Sequence, residues 1–265
     1  MTQLTLPHAF SAVTQLGQPR RLYQTTMGHK LSGFFAAALY FIFVVAFVFF
    51  VRPIILESQP ESGREMFGLI TLLVPAGLLL FAAIQLLRPF FANHQIVVYE
   101  QGLAFRTWRG LRQWGWADIQ GIQANITRYT YMGFVPMGTT HTYMVWTHKG
   151  DYLTLTQTIG QVQALASEIE QATNPILLKQ SVQAFENNQP VNFGPISLSR
   201  QGAKFNGKLY DWSQVANITI ENGYVQISKK GGGFFSGASV SAAMVPNLNV
   251  FLALLQQIGG TATTH

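Results

Sequence analysis

Cysteine is absent from the 265-residue chain. That excludes disulfides, zinc–thiolate and iron–sulfur sites and thiol nucleophiles together, and it leaves the redox compartment open. Charge is scarce too: 11% of residues are Asp, Glu, Lys or Arg, against about a quarter in soluble domains. There are three aspartates, Asp118, Asp151 and Asp211. Two stand beside tryptophans and the third falls in a turn signal, so paired-carboxylate chemistry has no obvious seat. His141 and His148 are not at a metal-ligand spacing. No catalytic residue, metal site or cofactor is expected, and the chain reads as a non-enzyme. The cations behind the net charge of +6 are scattered, so nucleic acid is not an expected partner.

What the chain has instead is two long apolar runs. Leu31–Val51 ("LSGFFAAALYFIFVVAFVFFV") and Met66–Leu87 ("MFGLITLLVPAGLLLFAAIQLL") contain no ionisable residue. Each matches the length needed to cross a hydrocarbon core about 30 Å thick as a helix. The first run is too long, and too far from the N-terminus, for an ordinary signal-peptide core. Arg20, Arg21 and Lys30 precede the first run, and Arg88, Arg106, Arg109 and Arg112 follow the second. The intervening loop mixes Arg52 and Arg64 with three glutamates. The excess of Lys and Arg outside the loop places both termini in the cytoplasm. The expectation is a multi-pass protein of the cell membrane with two spans and a short outer loop. Pro75 predicts a kink in the second span. Gly33 and Ala37 form a small-xxx-small pair suited to close helix approach.

From His94 onward, short β-branched and aromatic runs alternate with Gly and Asn turns. Arg109-Gly110, Lys149-Gly150-Asp151 and Asn222-Gly223 mark hairpins. Ile159, Val162, Leu165 and Ile169 then follow helical spacing. Thr173-Asn174-Pro175 predicts a break, with Pro175 opening a second helix that carries Leu178, Val182 and Phe185. A last helix bears Leu248, Phe251, Leu252, Leu255 and Ile258 on one face. The organisation expected is a cytoplasmic tail (1–30), a helical hairpin (31–88, spans 31–51 and 66–87), two domains (94–188 and 189–260) and a short tail (261–265).

The two domains echo each other. "VYEQGLAF" and "LSRQGAKF" align Val98 with Leu198, Gln101 with Gln201, Gly102 with Gly202 and Phe105 with Phe205. Further on, Trp116 matches Trp212, Ile119 matches Val215 and Ile122 matches Ile218. Shared residues of this kind point to a structural unit used twice, with Gly in a strained turn and Phe and Trp in the interior. The stretches "YEQGLAF…WADIQGI" and "WSQVANITIENGYVQI…VPNLNVFLALL" resemble an uncharacterised bacterial family of membrane-anchored proteins with tandem pleckstrin-homology-like (PH-like) domains. The resemblance covers roughly residues 95–258. It implies an α+β fold: an N-terminal transmembrane helical hairpin followed by two PH-like β-rolls, each closed by a C-terminal helix. PH-like domains bind lipid headgroups, peptides or proteins, so the fold alone assigns no ligand.

Two surface stretches are candidate contacts. In "RTWRGLRQWGW", Arg106, Arg109 and Arg112 alternate with Trp108, Trp114 and Trp116, a pattern suited to anionic lipid and its interface. In "KKGGGFFSG", Lys229, Lys230, Phe234 and Phe235 form a basic, aromatic loop that lacks the Gly-Lys-Ser/Thr of a phosphate cradle. Expected partners are the lipid bilayer, anionic headgroups and a protein still to be identified. The leading reading is a membrane-anchored binding or scaffold module. A structural or regulatory subunit of a membrane complex, using the helical hairpin as its interface, is the alternative, and a membrane enzyme ranks third.

Overall fold

Residues 19–24, inside the stretch read as a tail, form a strand, β1 (Pro19–Gln24), that pairs antiparallel with β2 (Gln95–Tyr99). Both apolar helices lie between these two strands. The computed structural model describes residues 6–58, 60–61, 64–91, 94–108, 110–131, 135–231, 237–259 and 262–264. The chain divides into one unit of Met1–Tyr99, Ala104–Gln113 and Thr158–Gly160, and a second of Glu100–Leu103, Trp114–Gln157 and Gln161–His265.

In the first unit, α1 (Met27–Ala46) continues through a π turn (Phe47–Val51) into α2 (Arg52–Glu57). The helix therefore outruns the expected span and takes in part of the expected loop. Pro53 has no N–H to give. The π turn just before it lets Arg52 donate to the Phe47 carbonyl instead. The return helix, α3 (Arg64–Phe91), is one element through Pro75. Gly33, Ala37 and Val44 form the buried stripe of α1, and Thr71, Pro75 and Ala82 that of α3. The small residues let the two helices pack, and Tyr40 meets Phe81 edge-on at 5.0 Å. Most other apolar side chains point outward, with Phe35, Phe49 and Leu73 at least 70% exposed. A helix in a soluble core would bury such residues. Both helices are long and apolar enough to cross a membrane.

Four strands complete the first sheet in the order β1-β2-β3-β4, with β3 at Gly102–Thr107 and β4 at Gly110–Gly115. Phe10, Val13 and Leu16 of the N-terminal segment are buried against Val97, Tyr99 and Ala104 of that sheet. The N-terminus is thus held by apolar burial, worth about 2 kcal/mol for each such side chain.

The second unit opens with a three-stranded sheet of β5 (Ile119–Tyr131), β6 (Val135–Thr147) and β7 (Tyr152–Leu155). Next comes α4 (Val162–Glu186), which runs unbroken through Pro175, so the predicted break is absent. The reason lies in burial on both sides of the proline. Leu165, Ile169, Thr173 and Leu177 are buried on the inner face, while Pro175 and Gln171 are exposed. The Gln171 carbonyl that Pro175 leaves unpaired therefore faces water rather than the core.

Downstream, β8 (Val191–Phe193), β9 (Ile196–Leu198), β10 (Gly202–Phe205) and β11 (Lys208–Asp211) form a meander. A further sheet orders β14 (Ala238–Ser241), β13 (Tyr224–Lys229), β12 (Val215–Glu221) and β15 (Ala262–Thr264). Helix α5 (Leu248–Gln257) seals this half, with Phe251 edge-on to Phe193 at 5.3 Å. Leu177 of α4 joins the same core, with Leu178, Val182 and Phe185 packed around it. The fold is thus α+β, with sheets antiparallel except where β15 joins β12. Among the described residues no sheet closes into a barrel, because at Trp116–Asp118 the chain leaves one ladder through a 3-10 turn and begins another.

Gly202 departs from its expected role. Its φ is not in the left-handed region, yet a Cβ there would run into the Tyr210 carbonyl of the neighbouring strand. Close backbone approach, rather than turn strain, requires glycine at this position. Asn222-Gly223 behaves as read, with φ of 50° and 79° at a two-residue hairpin.

Asn247 ties the two parts of the second unit together. Its side chain accepts from the Ile122 N–H (2.9 Å) and donates to the Gln120 carbonyl (3.1 Å), and its own N–H reaches the Ile122 carbonyl (2.8 Å). It caps the open edge of β5 as a further strand would. Its φ of 51° is one that Asn tolerates and Ala resists. Asn247→Ala is expected to lower the unfolding free energy by about 3 kcal/mol, from the orphaned N–H and the backbone strain. Asn247→Gly should recover about 1 kcal/mol of that, the strain alone. Chemical denaturation of the full chain in neutral detergent checks both.

Candidate functional site

The first sheet fixes where its β3–β4 hairpin points. Strand β2 begins at Gln95, directly after α3, and runs away from the helices. Glu100 and Gln101 alone connect it to β3, so β3 is antiparallel and runs back. Its six residues cover about 20 Å, which brings Arg106 close to the level of Gln95. The tip, Trp108 and Gly110, therefore lies at the end of the sheet from which both helices depart. Gly110 takes φ +114°, the glycine-only geometry that the tip needs.

Of the sequence candidates, Arg106 on β3 and Arg112 on β4 are exposed, and Trp108 at the tip is 63% exposed. Leu111, not singled out in the sequence, is also exposed at the tip. Arg109 lies outside the described residues. Trp114 is placed differently from the reading: it is 5% exposed, packed inward like Trp116. Arg112 and Trp114, two residues apart on β4, share one face of the strand, so the change from exposed to buried marks where that face passes from the hairpin tip to the core. The surface that remains is an apolar tip (Trp108, Leu111) flanked by two guanidinium groups.

The second candidate stretch belongs to the second unit. Lys229 holds its ammonium 5.3 Å from the centre of the Tyr210 ring, with Lys208 at 5.5 Å. Tyr210 is itself buried, so Lys229 serves the core of its own half through cation–π attraction. Lys230 is exposed, and its N–H is held by the Gln214 carbonyl. Phe234 and Phe235 lie outside the described residues.

A neck of hydrogen bonds joins helices to sheet, and the sequence reading missed it. Thr25 N–H donates to the His94 carbonyl at 3.1 Å, and His94 N–H returns a bond to Thr25 Oγ1 at 2.9 Å. Thr26 N–H reaches the Thr158 carbonyl (2.8 Å) and Gly160 N–H the Gln24 carbonyl (2.9 Å). Burial lowers the pKa of His94, and the neighbouring His29 lowers it further.

The two meanders of the chain share a plan. Orders β1-β2-β3-β4 and β8-β9-β10-β11 are the same series of neighbours. In each, the amide of a tryptophan bonds to the carbonyl of the matched glutamine: Trp116 to Gln101 (3.0 Å) and Trp212 to Gln201 (3.3 Å). The indole N–H groups also find backbone carbonyls, Glu100 for Trp116 and Ser199 for Trp212, offset by one position. Phe105 and Phe205 are both buried, as are Ile122 and Ile218. The difference is at the first turn. A tight turn at Gly194 joins β8 to β9, whereas both apolar helices lie between β1 and β2.

Residues 5–262 match one protein family, described as a family of unknown function (DUF6585). No curated protein and no solved structure matches the chain.

The lowered pKa of His94 gives a prediction with a definite sign. The folded state favours neutral imidazole, so stability is indifferent to pH above about 6.5, the ordinary His value. Below that value the unfolded chain gains a proton that the fold resists, and stability falls. His94→Gln should flatten the decline between pH 7 and 5.5, read as thermal midpoints of the full chain in neutral detergent.

Proposed function

Starting from the premise that the chain belongs to the DUF6585 family of unknown function, we propose that it is a membrane-anchored, non-enzymatic scaffold. Helices α1–α2 and α3 span the cell membrane with both termini on the cytoplasmic side. The two meanders, each with the next three strands and the helix that follows them, are copies of one PH-like plan. In the first copy the helical hairpin has replaced a tight turn. The β3–β4 tip rests on the anionic inner surface and fixes the first sheet against the bilayer. The remainder is presented to a protein partner.

The observation that carries this reading is the pairing of β1 with β2 around the helices. It sets the tip, with Trp108 and Leu111 exposed between Arg106 and Arg112, at the end of the sheet where the helices leave. Indole rings favour the headgroup level, and each basic residue near an anionic surface contributes roughly 1 kcal/mol. Two spanning helices anchor far more strongly than that. The hairpin therefore orients the domain and is not needed to recruit it. The repeat rests on the matched glutamine–tryptophan bonds and the shared strand order. The matching tip of the second copy, Asn206-Gly207, carries no aromatic residue, so the lipid contact belongs to the first copy alone.

The lack of native cysteine makes the test direct. Trp108→Cys and Asn206→Cys are labelled singly with an environment-sensitive dye, in full chain reconstituted into discs of phosphatidylcholine with phosphatidylglycerol. The dye at position 108 should be shielded from aqueous iodide and quenched by spin-labelled lipid, while the dye at 206 stays open to iodide. Adding Arg106→Gln and Arg112→Gln should cost about 2 kcal/mol of tip contact, a shift of roughly thirtyfold toward the water-exposed state. Equal iodide quenching at 108 and 206 would overturn the proposal.

A further inference from the structure

The second unit contains a cleft of about 450 Å3, within the range of small-molecule sites. Three walls form it, each traceable to a sequence period. Ile122, Ala124 and Ile126 alternate along one face of β5. Gln163, Ser167 and Glu170 recur at helical spacing on α4. The third wall is the segment from Ser241 to Asn249 that leads into α5. These walls are fixed in place. The three bonds of Asn247 hold the third wall to β5, and Gln123 Nε2 donates to the Ala243 carbonyl at 2.6 Å. Ile126 is 55% exposed at the mouth, whereas Ala166 on the α4 side is buried.

The charge in this cleft is one-sided. Among the described residues that line it, Glu170 is the only carboxylate, and none is Lys or Arg. Its carboxylate accepts a hydrogen bond from Asn249 Nδ2 at 3.0 Å. Tyr143 is the other titratable group in the lining, itself largely buried. Burial pushes the Glu170 carboxyl above its ordinary range, with the Asn249 amide pulling the other way. The Tyr143 hydroxyl is raised first by burial and then by Glu170. A half-buried acid with an amide neighbour, and no cation among the described residues around it, is short of its counter-charge. Two isoleucines and the Leu248 side chain supply an apolar surface in the same cleft.

We propose that this cleft binds a small amphipathic amine, its ammonium on the Glu170 carboxylate and its apolar body against the β5 face. An ammonium brings the opposite charge and several donors to one carboxylate. An apolar body of aryl or short alkyl size fits the volume and covers Ile122 and Ile126. An anion would be repelled by Glu170, and a neutral molecule of the same shape would leave the acid without a counter-ion. The site is independent of the lipid-facing hairpin, so either proposal stands if the other fails.

The test uses phenethylammonium as probe, with phenethyl alcohol and phenylpropionate as matched neutral and anionic controls. Binding to the full chain in a nonionic detergent is followed by calorimetry and by ligand-observed NMR. Phenethylammonium should bind saturably, at least about tenfold more tightly than either control, since a charged hydrogen bond is at stake. Glu170→Gln, nearly isosteric, should weaken the amine about tenfold or more and leave the alcohol unchanged. Glu170→Asp, which keeps the charge, should recover part of the loss, with unfolding midpoints of both variants showing that the fold persists. Any of three results overturns the proposal: no saturable binding of the amine, equal affinity for alcohol or phenylpropionate, or an affinity unchanged by Glu170→Gln.

Discussion

One ladder of backbone hydrogen bonds, between β1 and β2, governs the first unit. It holds together two segments separated by the whole helical hairpin. Loop-closure entropy grows slowly with length, so a long excursion between paired strands costs little more than a short one. Local bonds at the neck secure the closure, with Thr25 and His94 exchanging contacts. Buried Phe10, Val13 and Leu16 add apolar weight at the far side of the sheet. The direction of every later strand in that sheet, and so the position of Trp108, is inherited from this pairing.

The second unit depends on a different economy, in which one helix serves two sheets. The first turns of α4 bury Val162, Leu165 and Ile169, and its later turns contribute Leu177 to the core that Phe193, Phe205 and Phe251 dominate. A break at Pro175 would have separated these two burials. Keeping the helix continuous costs about 3 kcal/mol at the proline, which several buried side chains of about 2 kcal/mol each outweigh. Asn247 then closes the arrangement by completing the edge of β5. The cleft at Glu170 is what remains between elements that meet at three places but do not fill the space between them.

Much of this was legible in the sequence, for reasons that are local. Uninterrupted apolarity identified both long helices, and Asn222-Gly223 identified its hairpin because few other pairs accept two positive φ angles. The echo of "QG" and Trp marked positions that prove to share a hydrogen bond. Long-range pairing left no such trace. Arg20-Arg21-Leu22-Tyr23 alternates over too few residues to announce a strand, and its partner is beyond both helices. Pro175 misled because propensity speaks for one turn, while the burial of Thr173 and Leu177 is decided by tertiary packing. Trp114 was grouped with Trp108 by spacing alone, which does not reveal where a hairpin passes from surface to core. Glu170 gave no signal, since its neighbour Asn249 is far along the chain.

The β1–β2 ladder also carries a rule of parity. Strands that share hydrogen bonds must occupy the same aqueous compartment, so a bilayer threaded between them has to be crossed an even number of times. The two crossings proposed for α1–α2 and α3 satisfy this, whatever the flanking charges dictate. In the proposed membrane topology the same rule orders biogenesis: β1 is synthesised first and has to wait, its edge unsatisfied, until both helices have inserted and β2 emerges on its side.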